Sequence, residues 1–276
     1  MNTVAQPDFI PGHSGNLFIL YFPPNRARDK HKGVLFFPPF AEELNKSRRM
    51  VALQARRCAE LGYGVLLLDL YGTGDSSGDF GQAHWSQWRQ DMLAGVTWLL
   101  DHGARKVDFW GLRTGALLAL DVARELESAD ILDHILLWNP VLKGQVFVTQ
   151  FLRLRMAADL ANSAGGVDTQ QLRAALQQGE SVEVAGYDLA PELVLPMEAL
   201  DLQVLPPRPG VRVDWFELAG ENRPISPASA KLVEAWRATD VDVDIHQVVG
   251  DAFWSTPEIT LAPDLLDATT QALGRV

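Results

Sequence analysis

Short apolar runs alternate with longer amphipathic stretches along most of the chain. Residues 17–22 (LFILYF) and 33–38 (GVLFFP) are strand-like, with Gly and Pro marking their ends. Residues 47–61 (SRRMVALQARRCAEL) set Met50, Val51, Leu53 and Leu61 among arginines, which predicts an amphipathic helix stopped by Gly62. The run 64–70 (GVLLLDL) is apolar almost throughout, as expected of a strand covered on both faces. The rhythm continues with a helix over 84–101, a strand over 106–111, a helix over 114–127 and a strand over 134–139. Strand–helix–strand units of about thirty residues imply parallel, right-handed crossovers. The expected class is therefore α/β, with a mostly parallel, doubly wound sheet.

The rhythm breaks after Pro140. Residues 147–161 and 169–178 are helical in pattern, and 183–200 (EVAGYDLAPELVLPMEAL) offers no long strand. Alternation resumes with a strand at 211–219, a helix at 226–238, a strand at 241–249 and a last helix near 262–274. The expected organisation is a core domain over 1–141 and 206–276, interrupted by a small helical cap insertion over 142–205. The chain shows no internal repeat and no low-complexity segment.

Composition narrows the class. At 276 residues, 47% hydrophobic and 21% charged, the chain has the balance of a soluble globular domain. A net charge of −11 argues against nucleic acid and anionic membrane surfaces as partners. The one cysteine, Cys58, excludes an intrachain disulfide or a cysteine-rich metal site, and its helical surroundings point to packing. The N-terminus (MNTVAQPDFIPGHSG) lacks a basic, apolar export pattern, and no run approaches the roughly 18 apolar residues of a membrane span. The expected location is cytoplasmic.

Candidate chemistry centres on FWGLRTGALLAL, 109–120, where a strand runs into a small-residue helix. Gly111 and Gly115 flank Arg113 with the spacing of the sharp turn that lifts a nucleophile out of a sheet. With DLYGTGDSSGDF (69–80) and FPPFAEELNKSRRM (37–50), in this order, the chain resembles the α/β-hydrolase superfamily. PPFAEELNKSRRM, GLRTGALLAL and the late GDAFWSTPEI are similar to the exosortase A system-associated hydrolase 2 family over nearly the whole chain. That resemblance implies an α/β-hydrolase fold with an eight-stranded sheet. It also implies a bacterial protein linked to exopolysaccharide production, acting on an ester or acyl compound beside exosortase-system proteins.

The catalytic positions implied by the superfamily are all altered. The nucleophile position holds Arg113, which cannot attack a carbonyl. Thr114 would need the frame moved by one, leaving bulky Leu112 where a small residue belongs; its backbone N–H instead falls where an oxyanion donor is expected. The histidine position holds Ala252. His246 alternates with Asp242 and Asp244 opposite Val241, Val243 and Ile245, which predicts a solvent-side imidazole. His84 follows the Gly-rich loop but opens a helix, where a surface or capping role is the plainer one. The carboxylate position falls at Asn222 or Arg223, beside Glu221, and the alternative site after the sixth strand holds the amide Asn139. Thr114, His84, Glu43 and Asp75 remain the candidates for chemistry.

Arg113 itself has two readings. A guanidinium at a helix N-terminus, with Thr114 N–H and the Phe40–Ala41 backbone nearby, is suited to an anionic ligand. Alternatively Glu42, Glu43 or Asp251 neutralises it in an internal ion pair. Trp254 is placed to stack on a ligand, whereas Trp85, Trp88 and Trp98 have the spacing of helix packing. Asp69, Asp75, Asp79 and Glu42 lack accompanying His- or Cys-rich spacing, so neither a metal nor another cofactor is expected. Two functions stay open: an ester or acyl hydrolase using water activated by Glu43, Asp75 or His84, and a non-catalytic protein binding an anionic metabolite or a protein partner.

Overall fold

The computed structural model describes residues 4–126, 128–161, 168–221 and 224–275. In chain order its main elements are β1 (Gln6–Gly12), β2 (Gly15–Phe22), β3 (Lys32–Phe37), α1 (Glu42–Glu60), β4 (Tyr63–Leu68), α2 (Trp85–Asp101), β5 (Lys106–Leu112), α3 (Thr114–Ala123) and β6 (His134–Trp138). There follow α4 (Gly144–Ala161), α5 (Thr169–Gln177), a small hairpin of β7 (Val182–Val184) and β8 (Tyr187–Leu189), α6 (Pro191–Glu198), β9 (Arg212–Ala219), α7 (Pro227–Arg237), β10 (Asp242–Val249) and α8 (Pro263–Gly274).

Eight of the strands form one sheet in the order β1-β2-β4-β3-β5-β6-β9-β10. The pairs β1–β2 and β2–β4 are antiparallel and the rest are parallel. From β3 the chain first moves one way, to β4, then crosses back to β5 and continues the other way. The crevice outside the carboxyl ends of β3 and β5 is thus a topological switch point, the usual ligand position in such sheets.

Sheet alternation divides the core into two layers. On one face Phe36, Trp110, Trp138 and Phe216 pack under α1 and α8, through Met50, Val51, Cys58, Leu265 and Leu273. On the other, Leu35, Phe37, Phe109 and Trp215 meet Leu117, Met92 and Trp236 from α3, α2 and α7. Trp85 and Trp88 are buried in this second layer, as their helical spacing predicts. Trp98 stacks on His102. Cys58 is fully buried, and burial pushes its thiol up to about 12.

Two local departures from the sequence pattern have clear causes. β1 contains Pro7 and Pro11, residues that deny a strand its ladder donors; they are tolerated because β1 is the outermost strand. Helix α1 starts at Glu42 rather than near residue 47, because Ala41 takes a positive φ of 53° and ends the preceding loop abruptly. Glu42 and Glu43 then fill the first turn, where the helix dipole favours acids.

The sheet also holds a row of ionisable side chains in its amino-terminal half. His134 and His246 both bond Asp214 through Nε2, at 2.7 and 2.5 Å, and Arg212 donates to the same carboxylate at 3.1 Å. Burial raises the Asp214 carboxyl, but these three donors outweigh it and hold the group well below the usual range. His246 is therefore not a solvent-side residue: it is three-quarters buried and stacked on Phe216 at 4.6 Å. The alternation misplaces it because this face of β10 also lies under a helix, α8. Across from His134, Asp108 is wholly buried, and among the described residues neither of its carboxylate oxygens receives a hydrogen bond. Desolvation pushes its carboxyl up to about 6.

A carboxyl raised in the folded state gives stability at low pH that is lost as pH climbs. For Asp108 the loss runs from about pH 4 to above pH 6 and amounts to about 3 kcal/mol. The Asp108→Asn variant should accordingly exceed the unaltered chain in urea-denaturation stability at pH 8 by up to about 3 kcal/mol. That advantage should shrink towards pH 5; an advantage independent of pH would refute the assignment.

Candidate functional site

Arg113 is the single residue between β5 and α3, with φ 56° and ψ −116°. This is a strained conformation for a residue with a Cβ, costing about 1–3 kcal/mol. Its surroundings enforce it. The Arg113 N–H donates to the Trp138 carbonyl, and the Arg113 carbonyl accepts from Ala116 and Val141. A Cβ on Gly111 would lie 2.8 Å from the backbone of Ala116, and one on Gly115 would lie 2.0 Å from the Phe37 carbonyl oxygen. Both glycines are required by close backbone approach, and between them the side chain at 113 stands at the carboxyl edge of the sheet. Thr114 is 98% buried, so its hydroxyl is not presented there.

The guanidinium is shared among three groups. Its Nε donates to Glu43 Oε1 at 3.3 Å and its Nη1 to the Asn139 carbonyl at 3.3 Å. The guanidinium carbon also sits 5.2 Å from the centre of the Trp254 ring, so the face of Trp254 that the sequence offers to a ligand is taken by the protein's own cation. Among the described residues, no acceptor bonds Nη2. The Arg113 side chain keeps 22% of its surface exposed and forms part of the wall of a cavity of about 370 Å³. Pro140, Val141 and Leu142 line that cavity after β6, with Val146, Phe147 and Gln150 from α4 and Ala228 from α7. Lys143 stands at its edge, paired with Asp201 at 2.9 Å.

Of the three acids expected to compete for Arg113, Glu43 is the one that reaches it. Its other oxygen, Oε2, is buried without a hydrogen-bond partner. Burial raises the Glu43 carboxyl, and Arg113 brings it back only in part. Glu42 instead accepts from Asn45 and Tyr187, and Asp251 is exposed. Phe40 is buried among Phe80, Trp88, Phe147 and Phe151. The Ala41 and Thr114 N–H groups make no hydrogen bond with the described residues, leaving two donors near the elbow.

Other expected residues are drawn elsewhere. Asp75 is exposed, and its N–H donates to Asp69, which also accepts from Arg48. Ser76 joins the Asp69 carbonyl to the Phe18 N–H, so this loop is braced against β2. Asp79 is exposed, its carbonyl accepting from Gln82. His84 is exposed and caps α2, its N–H bonded by Gln87. Ala252 is described but carries no titratable group, and Asn139 is spent on the backbone, its side chain accepting from the Leu218 N–H. Asn222 and Arg223 lie outside the described residues, while neighbouring Glu221 is exposed. Of the other histidines, His31 lies near Asp29, His102 stacks on Trp98 and His134 bonds Asp214, while His13 is exposed between β1 and β2. Among the described residues no group of three or more His, Cys, Asp or Glu is placed to hold a metal, and no helix is long and apolar enough to cross a membrane.

Solved structures share this architecture over nearly its full length. Est1E from Butyrivibrio proteoclasticus, with ferulic acid bound, aligns with a TM-score of 0.64 over 97% of this chain and 96% of its own, at 17% identity. The chain has the α/β-hydrolase fold. An α/β serine hydrolase without lid from Xanthomonas campestris aligns at 0.58 with 16% identity, covering 100% of this chain and 95% of its own. Mouse α/β hydrolase domain-containing protein 10 aligns at 0.60 with 15% identity, covering 98% and 99%. These neighbours are esterase- and hydrolase-like, and at such identities the likeness is one of fold. No protein-family model and no curated protein sequence matches the chain. In this fold Arg113 stands at a sharp strand-to-helix turn, between β5 and α3.

The elbow rests on backbone contact, so Gly115→Ala should destabilise the chain by about 3 kcal/mol in urea titration, since the Phe37 carbonyl cannot retreat without disturbing β3. Unchanged stability would mean that the close approach is not a constraint.

Proposed function

We propose that this α/β-hydrolase-fold chain binds an anionic, acyl-type small molecule at Arg113 and does not carry out serine-type hydrolysis. What supports the reading is the guanidinium itself: a permanent cation at the elbow, with an Nη2 that no described residue bonds and an apolar cavity beside it. An oxyanion site holds a negative charge for the duration of a transition state; adding a cation makes it suited to a stable anion. The superfamily's imidazole is also missing from its position, which holds Ala252. Ferulic acid bound to Est1E supplies a precedent within the fold for a carboxylic acid on an apolar body.

The segment 142–205 serves in this reading as a cap, since α4 supplies one wall of the cavity. The likeness to the exosortase A system-associated hydrolase 2 family favours a bacterial setting linked to exopolysaccharide production. A second reading is ester hydrolysis by water activated at Glu43, favoured by its raised carboxyl and unpartnered Oε2.

Three measurements separate these readings. Fluorophosphonate should label the folded chain no better than a heat-denatured control; efficient labelling would restore the serine-type reading through another hydroxyl. Hexanoate should bind, and Arg113→Gln should weaken it at least about tenfold, the worth of a charge-assisted hydrogen bond. Turnover of p-nitrophenyl esters that is lost in Glu43→Gln would favour the hydrolytic reading.

A further inference from the structure

Glu43 holds Arg113 by one oxygen at 3.3 Å, while its second oxygen is buried with no donor. A buried carboxylate needs a matching charge. Arg113 supplies it across the elbow, and among the described residues no other charged group bonds the Glu43 carboxylate. The Ser47 hydroxyl donates to the Glu43 backbone carbonyl, not to the carboxylate. Glu42, next on α1, is bonded away to Asn45 and Tyr187. From beyond β6 the site receives the Asn139 carbonyl and from beyond β10 the Trp254 ring, neither of them charged. Asp251 in that last loop is exposed.

We infer that an incoming carboxylate at Arg113 is bound together with a proton that Glu43 takes up, and that the ligand is a monocarboxylate with a compact apolar body. The inference rests on Arg113 being the anion site. One guanidinium cannot balance two carboxylates, and when two share a site one of them binds a proton. Before binding, the pair is a cation and an anion. After binding, it is a cation, the ligand anion and a neutral Glu43 carboxyl, the proton coming from solvent. The charge enclosed is unchanged. A dianion would need a second cation, and the other one lining the cavity, Lys143, is held by Asp201. The walls of Val141, Leu142, Val146 and Phe147 and the volume of about 370 Å³ suit a ring or a short chain, given that an apolar cavity of about 150 Å³ accommodates benzene.

Titration calorimetry with hexanoate and benzoate, in two buffers of different ionisation enthalpy, counts the protons directly on the unaltered chain. Uptake should approach one proton per ligand, and Kd should weaken as pH rises, by up to about tenfold per pH unit. In Glu43→Gln the uptake and the pH dependence should both vanish, and binding at high pH should be tighter than in the unaltered chain. Binding that needs Arg113 but takes up no proton would overturn the coupling and leave the anion site standing. No binding of either acid, or equal binding by Arg113→Gln, would overturn the anion site itself. Inorganic phosphate binding more tightly than hexanoate would overturn the monocarboxylate class. If Glu43→Gln does not fold, the two-buffer comparison decides alone.

Discussion

Helix α3 starts against the end of β3 with backbone touching backbone, and a hydrogen atom is all the Phe37 carbonyl leaves room for at position 115. From this contact the rest of the crevice follows. The chain must reverse within one residue of leaving β5, which forces a positive φ on Arg113 and aims its side chain outwards from the carboxyl edge. The same approach brings the loop before α1 alongside the first turn of α3. Glu43 thereby comes within reach of a residue seventy positions later in the chain.

Strain of this kind is retained where the surroundings over-determine it. Here the anchors involve three separate strands: the Trp138 carbonyl at the end of β6, the Phe37 carbonyl at the end of β3, and the Asn139 side chain tied to β9. A serine at such a turn would be an activated hydroxyl only with an imidazole beside it. An arginine needs no activation, since its charge is permanent, but it does need a counter-ion when partly enclosed. The chain supplies that counter-ion from the first turn of α1. The turn and the loop before α1 thus work as one unit.

The alternating apolar runs made the layered α/β architecture legible, because strands buried on both faces have few polar residues with which to mislead. β1 was hidden by Pro7 and Pro11, whose meaning depends on whether a strand lies at an edge or at the centre, a fact of tertiary structure. Arg113 could be found from the spacing of Gly111 and Gly115 alone. Its partner could only be narrowed to Glu42, Glu43 or Asp251, since the choice depends on the helical register set by Ala41. The cavity wall from α4 was out of reach for a similar reason: Val146, Phe147 and Gln150 line it by helix rotation, which periodicity does not fix. Asp108 and Asp214 did leave a sign, each a carboxylate between two apolar residues of its strand, but pairing them with His134 requires the strand order.

Cys58 lies between α1 and the sheet, fully enclosed, with its thiol held neutral at ordinary pH. Thiolate chemistry at this atom therefore waits until the layer of α1 and α8 lifts away. Since the chain has one sulfhydryl, its alkylation rate is a built-in clock for that opening, free of interference from any second site. The slow step it times is the parting of a helical layer on the face where Trp110 and Trp138 meet edge to face.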